Sequence, residues 1–332
     1  MSAPLRLGTR RSTLAMAQSQ MVADAVAAAS GRPVELVPIV SEGDVNRASL
    51  SQLGGRGVFA NGLREALAAD RCDFLVHSLK DLPTAQPEGL VIAATPPRED
   101  ARDVVVTRDG APLGSLAAGA RVGTGSPRRI AQAKRHNPRL DIRDIRGNVD
   151  SRLGRVRDGE LDAVILAAAG ISRLGGDLGG LHAEALGLAE WPTAPGQGSL
   201  AIETRDDIDP DILAALVQLD DEDTRVAITA ERTVLSALDA GCSAPVGTHA
   251  ALADGDLRLR AVVYALDGAR RIGIDRTVRL APGYGGETGS GNGADAADDG
   301  GPIARATRAG REAARRLLER GAADLVPRES TT

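Results

Sequence analysis

Through its first two-thirds the chain alternates short β-type runs with segments of helical period, and that alternation points to an α/β fold of parallel sheets built from βαβ units. Pro4-Leu5-Arg6-Leu7-Gly8 reads as the first strand. Ser12 is a candidate N-cap, after which Leu14, Ala17, Met21, Val22, Ala25 and Val26 recur at helical spacing until Ser30-Gly31 stops the run. A strand at Val34–Val40, the loop Gly54-Gly55-Arg56-Gly57, a helix through Leu63–Ala69 and a buried-type strand Phe74-Leu75-Val76 follow. The next residues, His77-Ser78-Leu79-Lys80-Asp81-Leu82-Pro83, are largely polar and lie at a strand's carboxyl end, where open α/β sheets bind ligands.

Pro96-Pro97-Arg98-Glu99-Asp100 reads as a boundary. Beyond it a second α/β set has strands at Val104–Thr107, Arg121–Gly123, Leu140–Ile145 and Ala163–Leu166. Pro192 through Gly198 reads as a return crossing, and Leu200–Thr204 is expected to rejoin the first sheet, leaving a hinged cleft between two lobes. Residues 221–240 predict a helix with Asp220–Asp223 at its positive end and Gly241 as C-cap. Thr248–Leu252, Leu257–Leu266 and Arg271–Leu280 read as an antiparallel meander, closed by a helix from Ile303 to Arg320. The expected division is therefore a first lobe of 1–98 with 199–218, a second of 99–198, and a third, α+β domain of 219–332. Residues 282–301 carry eight glycines and are expected to form a mobile surface loop without chemistry.

Only two of the 40 basic side chains are lysines, Lys80 and Lys134, so charge recognition rests on the fixed donor fork of arginine. Residues 121–157 hold eleven cations against Asp141, Asp144 and Asp150, a local net of +8 in a chain of −5. Such a segment in an acidic protein points to an anionic partner. In Gly123-Thr124-Gly125-Ser126-Pro127-Arg128-Arg129 a Ser N-cap and Pro at N1 precede paired arginines, although helix N-termini disfavour cations. An anion among them would resolve the conflict. Thr9-Arg10-Arg11-Ser12 reads either as a similar site or as a solvated turn.

Arg146-Gly147-Asn148-Val149 opens another helix on which Arg152 and Arg157 flank the apolar stripe at similar offsets, so helical phase does not choose between them. Arg173 follows the apolar run Ile165–Ile171, a position where a lone arginine is usually a surface residue. Asp81 is the sharpest catalytic candidate. Neighbouring cations would hold it ionised and desolvation would raise its pKa, and composition alone leaves both open. His77 and Cys72 read as packed residues. Cys242 follows a helix C-terminus, where the dipole disfavours a reactive thiolate, but it suits a thiol carrying a permanent attachment.

Seven of these segments, taken in order, resemble the porphobilinogen deaminase family over essentially the whole chain: Thr9–Ser12, Gly54–Gly57, Val76–Pro83, Ser126–Arg129, Arg146–Val149, Pro195-Gly196-Gln197-Gly198 and Gly241-Cys242. The resemblance implies two lobes similar to type II periplasmic binding proteins with the active site between them, plus the C-terminal α+β domain. It implies a monomer whose Cys242 holds a dipyrromethane cofactor by thioether, built from substrate and kept through turnover. Four porphobilinogen molecules would be joined head to tail with loss of ammonia, giving hydroxymethylbilane. By the same resemblance Asp81 is the catalytic carboxylate. Ser12, Lys80, Asp81, Thr124, Ser126, Arg128 and Arg129 would contact the cofactor, and Arg10, Arg146, Arg152 and Arg173 the substrate, which favours Arg152 over Arg157. No metal is implied. Arg56 where lysine is common, Asn61 in place of part of a Lys-Glu pair, and Gly125 in place of serine depart from the family pattern.

Two other readings compete. A nucleic-acid binder would also use a basic segment, but residues 121–157 contain no Phe, Tyr or Trp for base stacking. A non-catalytic two-lobe binding protein predicts no adduct on Cys242. The start of the chain lacks a signal-peptide pattern and no run of about 18 apolar residues occurs, so the expected location is cytoplasmic, away from membranes.

Overall fold

The computed structural model describes residues 3–39, 58–240, 244–280 and 300–325. Cys242, Gly241, the loop Gly54–Gly57 with its Arg56, and residues 282–299 of the glycine-rich stretch lie outside the described residues. Gly300 and Gly301 are described, as N-cap and first residue of the last helix.

The elements run β1 (Leu5–Arg10), α1 (Thr13–Ser30), β2 (Val34–Ile39), α2 (Val58–Ala68), β3 (Phe74–Ser78), β4 (Leu90–Ala94), β5 (Asp103–Thr107), β6 (Arg121–Gly123), α3 (Pro127–His136), β7 (Asp141–Arg143), α4 (Val149–Arg157), β8 (Ala163–Ala167), α5 (Ala168–Ser172), β9 (His182–Ala185), β10 (Leu200–Arg205), α6 (Pro210–Val217), α7 (Glu222–Ala237), β11 (Val246–Ala253), β12 (Asp256–Tyr264), β13 (Arg271–Arg279) and α8 (Gly301–Glu319). Local chemistry sets several ends. Ser12 accepts from the Ala15 N–H at the start of α1, and Gly31 closes that helix in the left-handed region. Ser126 caps α3 with Pro127 at its first position, and Asn148 caps α4.

The fold is α/β with two lobes and a third domain. The first sheet has the order β2-β1-β3-β10-β4 and the second β7-β6-β8-β5-β9. Neither is purely parallel, because each strand that follows a crossing enters antiparallel: β10 between β3 and β4, and β5 between β8 and β9. The short strands β4 and β9 and the helix α6 have no counterpart in the sequence reading. Leu5, Leu7, Phe74 and Ile202 anchor the first lobe's core, and Val105, Val122, Ile165 and Trp191 anchor one face of the second.

The third unit packs α7 and α8 on an antiparallel sheet, β11-β12-β13, around Val226, Val234, Leu259, Val263 and Leu317. Asp221 caps α7 by accepting from the Thr224 N–H. The cap at the other end of α7 is Leu238, not the expected Gly241. Three elements are bolted together at the completely buried Glu231 of α7. It accepts from the Arg98 guanidinium in the outgoing crossing at 2.7 and 3.1 Å, from the Gly196 N–H in the return crossing at 2.7 Å, and from the Ala250 N–H of β11 at 2.7 Å. The two crossings also bond each other, Glu99 N–H to Gly198 O at 3.2 Å.

Candidate active site

β3 leaves the first sheet at Ser78 and passes directly into a single 3-10 turn, Leu79–Asp81. This turn holds Lys80 half-buried and Asp81 exposed. The return crossing comes up beside it, and two glycines make that approach feasible. Gly196 and Gly198 both take positive φ, 75° and 91°, and a Cβ on Gly198 would stand 2.4 Å from Glu99 O. Between them Gln197 is buried, with its Oε1 3.3 Å from Lys80 Nζ and its Nε2 donating at 2.8 Å to Ala101 O and to Asp103 Oδ1. Gln197 therefore joins the Lys80 turn to the second lobe.

Asp103, the first residue of β5, is fully buried and is the center of the second lobe's electrostatics. Its carboxylate pairs with Arg128 Nη1 at 2.9 Å and Arg129 Nη2 at 2.7 Å, and accepts from Trp191 Nε1 at 2.8 Å. Burial pushes its carboxyl upward, but the two guanidiniums outweigh that and hold it far below the usual carboxylate range. The conflict posed by arginines at the start of α3 is thus met by an anion inside the chain. Arg129 also donates to Ile165 O at 2.9 Å, yet the buried Nε atoms of Arg128 and Arg129 have no acceptor.

Cations converge around this pair. Burial first, then the Arg129 charge, pushes Lys80 down to about 8, with Asp81 and Asp103 pulling the other way. Burial and the charges of Arg129, Arg146 and Arg155 push Arg152 down to about 10, with only Asp144 opposing among the leading contributions. Arg152 Nε donates to Gly147 O at 2.9 Å, whereas Arg157 is exposed and packs against Gly179, so the fold separates two residues that helical phase left equivalent. Arg173 donates through Nη2 to Gly198 O at 2.6 Å, while its Nε is buried without an acceptor. Burial lowers its pKa as well.

On the first-lobe side, Arg10 is half-buried at the end of β1 and Ser12 is occupied in capping α1. The start of α1 faces the second lobe: a Cβ placed on Gly170 would lie 3.7 Å from Leu14 Cδ2 and 3.8 Å from Val149 Cγ2. Gln18 Nε2 donates to Ser78 Oγ at 3.2 Å, tying α1 to the end of β3. Thr124 is buried, with its Oγ1 3.3 Å from the Ser126 N–H, and Ser126 is occupied as the α3 cap. A Cβ on Gly125 would meet Asp144 Oδ1 and Ile145 O, each at 3.0 Å.

His77 is buried 3.1 Å from Glu203, which also takes a bidentate pair of bonds from Arg64 at 2.8 and 3.0 Å. Burial raises Glu203, but His77 and Arg64 overcome it and bring it to about 2. His77 is thus a packed, hydrogen-bonded residue. Burial raises the Cys72 thiol to about 11, so it is no nucleophile at neutral pH. Among the described residues no group of three or more His, Cys, Asp or Glu is placed to hold a metal ion, and no helix is long and apolar enough to cross a membrane. The sequence reading passed over Asp103 and Glu231, and it named Gln197 and Arg98 only within the Pro195–Gly198 segment and the Pro96–Asp100 boundary, with no role for either. The available signals were an acid opening an otherwise apolar strand and an amide between two glycines.

Comparison with known proteins bears on both parts of the chain. Residues 5–213 match the family model described as porphobilinogen deaminase, dipyromethane cofactor binding domain, and residues 226–318 match its C-terminal domain. The protein named porphobilinogen deaminase 1 of Streptomyces coelicolor is 56% identical over 82% of this chain and 88% of its own length. Its namesake in Streptomyces avermitilis is 50% identical over 97% of each chain. Among solved structures, a periplasmic binding protein of Salmonella typhimurium with high arginine specificity is 18% identical, covering 65% of this chain and 93% of that one at a TM-score of 0.41.

Proposed function

Since the chain belongs to the porphobilinogen deaminase family, we propose that its reaction is run by the residues gathered between the Lys80-Asp81 turn and the arginines of the second lobe. The enzyme joins four porphobilinogen molecules head to tail. At each step the aminomethyl carbon of one molecule bonds to the free α carbon of the preceding ring, ammonia leaves, and that α carbon gives up its proton. Water ends the sequence and releases hydroxymethylbilane.

The observation that carries the site assignment is the excess of positive charge around the buried Arg129 and the half-buried Lys80 and Arg152. Repulsion of this kind costs stability unless anions occupy the cleft. A dipyrromethane bears acetate and propionate carboxylates, so its chemistry fits these donors, including the buried Nε atoms of Arg129 and Arg173 that have no acceptor within the protein. When bound through Cys242, the cofactor supplies the pyrrole end that primes elongation. Lys80, Thr124, Ser126, Arg128, Arg129 and Ser12 hold and orient its carboxylates. Arg128 and Arg129 are themselves fixed by Asp103, so they present rigid donors. Arg10, Arg146, Arg152 and Arg173 receive the carboxylates of incoming porphobilinogen and limit its freedom before reaction.

Asp81 works at the reacting carbon. Loss of ammonia leaves that carbon electron-poor, and an adjacent carboxylate stabilises the developing positive charge and accepts hydrogen bonds from pyrrole N–H groups. Its exposure on the turn leaves it open to substrate. The domain division follows the crossings: 1–98 with 199–218, 99–198, and 219–332. We place the protein in the cytoplasm as a monomer, and without nucleic-acid partners, the last supported by the lack of stacking side chains in the basic segment.

Purified protein given porphobilinogen should release ammonia and hydroxymethylbilane. Asp81→Asn, nearly equal in volume, should keep the fold and lose activity on the order of a hundredfold, the scale of one removed charge-stabilising group. Near-normal turnover in folded Asp81→Asn would take Asp81 out of its central role.

A further inference from the structure

The turn that carries Lys80 and Asp81 has only one hydrogen bond within itself. It is three residues long, and Leu82 N–H to Leu79 O at 3.1 Å closes it. It is tied to the return crossing by Leu79 N–H to Ser199 O at 3.0 Å and by Lys80 Nζ to Gln197 Oε1 at 3.3 Å. Leu79 and Leu82 are buried in a small apolar cluster with Ala60, Ala201 and Ile228 of α7, and beside it a groove of about 380 Å³, bordered by Leu79, Thr84, Arg225, Arg232 and Arg311, lies between the first lobe and the third domain.

Polar contacts also reach the turn from α7. Arg232 of α7, half-buried, donates through Nη1 to Leu79 O at 3.3 Å and Leu82 O at 3.1 Å, and through Nη2 to Pro83 O at 2.6 Å. Three consecutive-region carbonyls are thereby gathered on one planar fork, a geometry that a lysine's single ammonium cannot reproduce. Arg232 directly follows Glu231, the residue that bolts α7 to both crossings and to β11. The helix that leads in sequence toward Cys242 is therefore the element that grips the Asp81 turn.

We propose that Arg232 is a positioning residue for Asp81, setting the carboxylate's place relative to the third domain and thus to the primer. The proposal rests on the functional reading above. Small displacements of a reacting group cost rate steeply, about a hundredfold for 1 Å. The carbonyl contacts leave the Asp81 side chain itself unconstrained, so the loss should appear in turnover and not in binding.

The test uses the full-length protein and reads kcat, KM and intact mass together. Arg232→Met keeps most of the apolar stem and removes the fork. It should fold and carry the two-pyrrole mass increment, with KM within threefold of wild type and kcat ten- to a hundredfold lower. Arg232→Lys should fall between the two. Arg225→Met, in the same groove but paired with Asp220 and Ala93 O and not with the turn, should keep kcat within twofold. In an Asp81→Glu background, where the carboxylate is already displaced, Arg232→Met should cost no more than threefold. A loaded Arg232→Met protein with unchanged kcat overturns the proposal, as does an equal loss in both Asp81 backgrounds or a variant that arrives without primer. Should Arg232→Met not fold, unchanged kcat in Arg232→Lys overturns it. A wild-type protein that forms no hydroxymethylbilane overturns the functional reading beneath it, and the proposal with it.

Discussion

Asp103→Asn removes one charge and almost no volume from the most connected carboxylate of the second lobe. In the wild type that carboxylate receives Arg128, Arg129, Trp191 and Gln197, all at 2.7 to 2.9 Å. The substitution leaves two buried guanidiniums facing each other without a counter-charge, and its amide NH2 points a donor at donors. Breaking a buried pair from one side costs about 3–5 kcal/mol. Against a total stability of about 5–15 kcal/mol, that is a large share. Urea denaturation followed by circular dichroism should show the loss as a midpoint lowered by roughly 1–5 M, given slopes of about 1–3 kcal/mol/M. The same change removes a charge that supports the Lys80 ammonium, so activity should lose its Lys80-dependent component at lower pH than in the wild type. A stability loss below about 1 kcal/mol would refute the view that Asp103 is what lets two arginines stand at the start of α3.

Lys80 titrates near 8 through burial and the nearby Arg129. Its charge is therefore present at neutral pH and lost as pH rises through about 8, and kcat/KM should decline there, with Lys80→Arg removing the inflection. The stability consequence has the opposite sign: between about 8 and 10.5 the unfolded chain binds the extra proton, so wild-type stability should rise with pH across that window by up to about 3 kcal/mol relative to Lys80→Gln, measured by urea midpoints. Glu231→Gln should strip the counter-charge from Arg98 where the crossings meet α7, costing about 3–5 kcal/mol and splitting a single calorimetric transition into two as the third domain melts apart from the lobes. A single transition at the wild-type temperature would contradict the bolt.

Much of the fold could be read locally. Ser12, Ser126 and Asn148 cap the helices they precede because capping is settled within three residues, and the β11–β13 meander follows from alternation and turns. The return of Leu200 to the first sheet was legible from the crossing at Pro192–Gly198, but its antiparallel entry between β3 and β4 was not. Strands β4 and β9 escaped because each is short, and β9 is largely exposed at a sheet edge, with little hydrophobic pattern to announce it. The site divided the same way. Motif residues such as Lys80, Asp81, Arg128 and Arg129 stood out by charge and turn chemistry. Their supports did not, because Asp103 meets Arg129 across 26 positions, Gln197 meets Lys80 across 117 and Arg98 meets Glu231 across 133. Such pairings exist only once the sheets have assembled.

The central claim is that a polymerising chemistry runs on a primer fixed to Cys242 and is driven by Asp81 within the arginine-lined cleft. Intact mass spectrometry of the purified protein beside Cys242→Ser, before and after porphobilinogen, tests it most directly. The account predicts a wild-type excess of two pyrrole units, absent from Cys242→Ser, that grows in single-pyrrole steps with substrate and stalls in Asp81→Asn. A wild type that carries no adduct and gains none in substrate would contradict it.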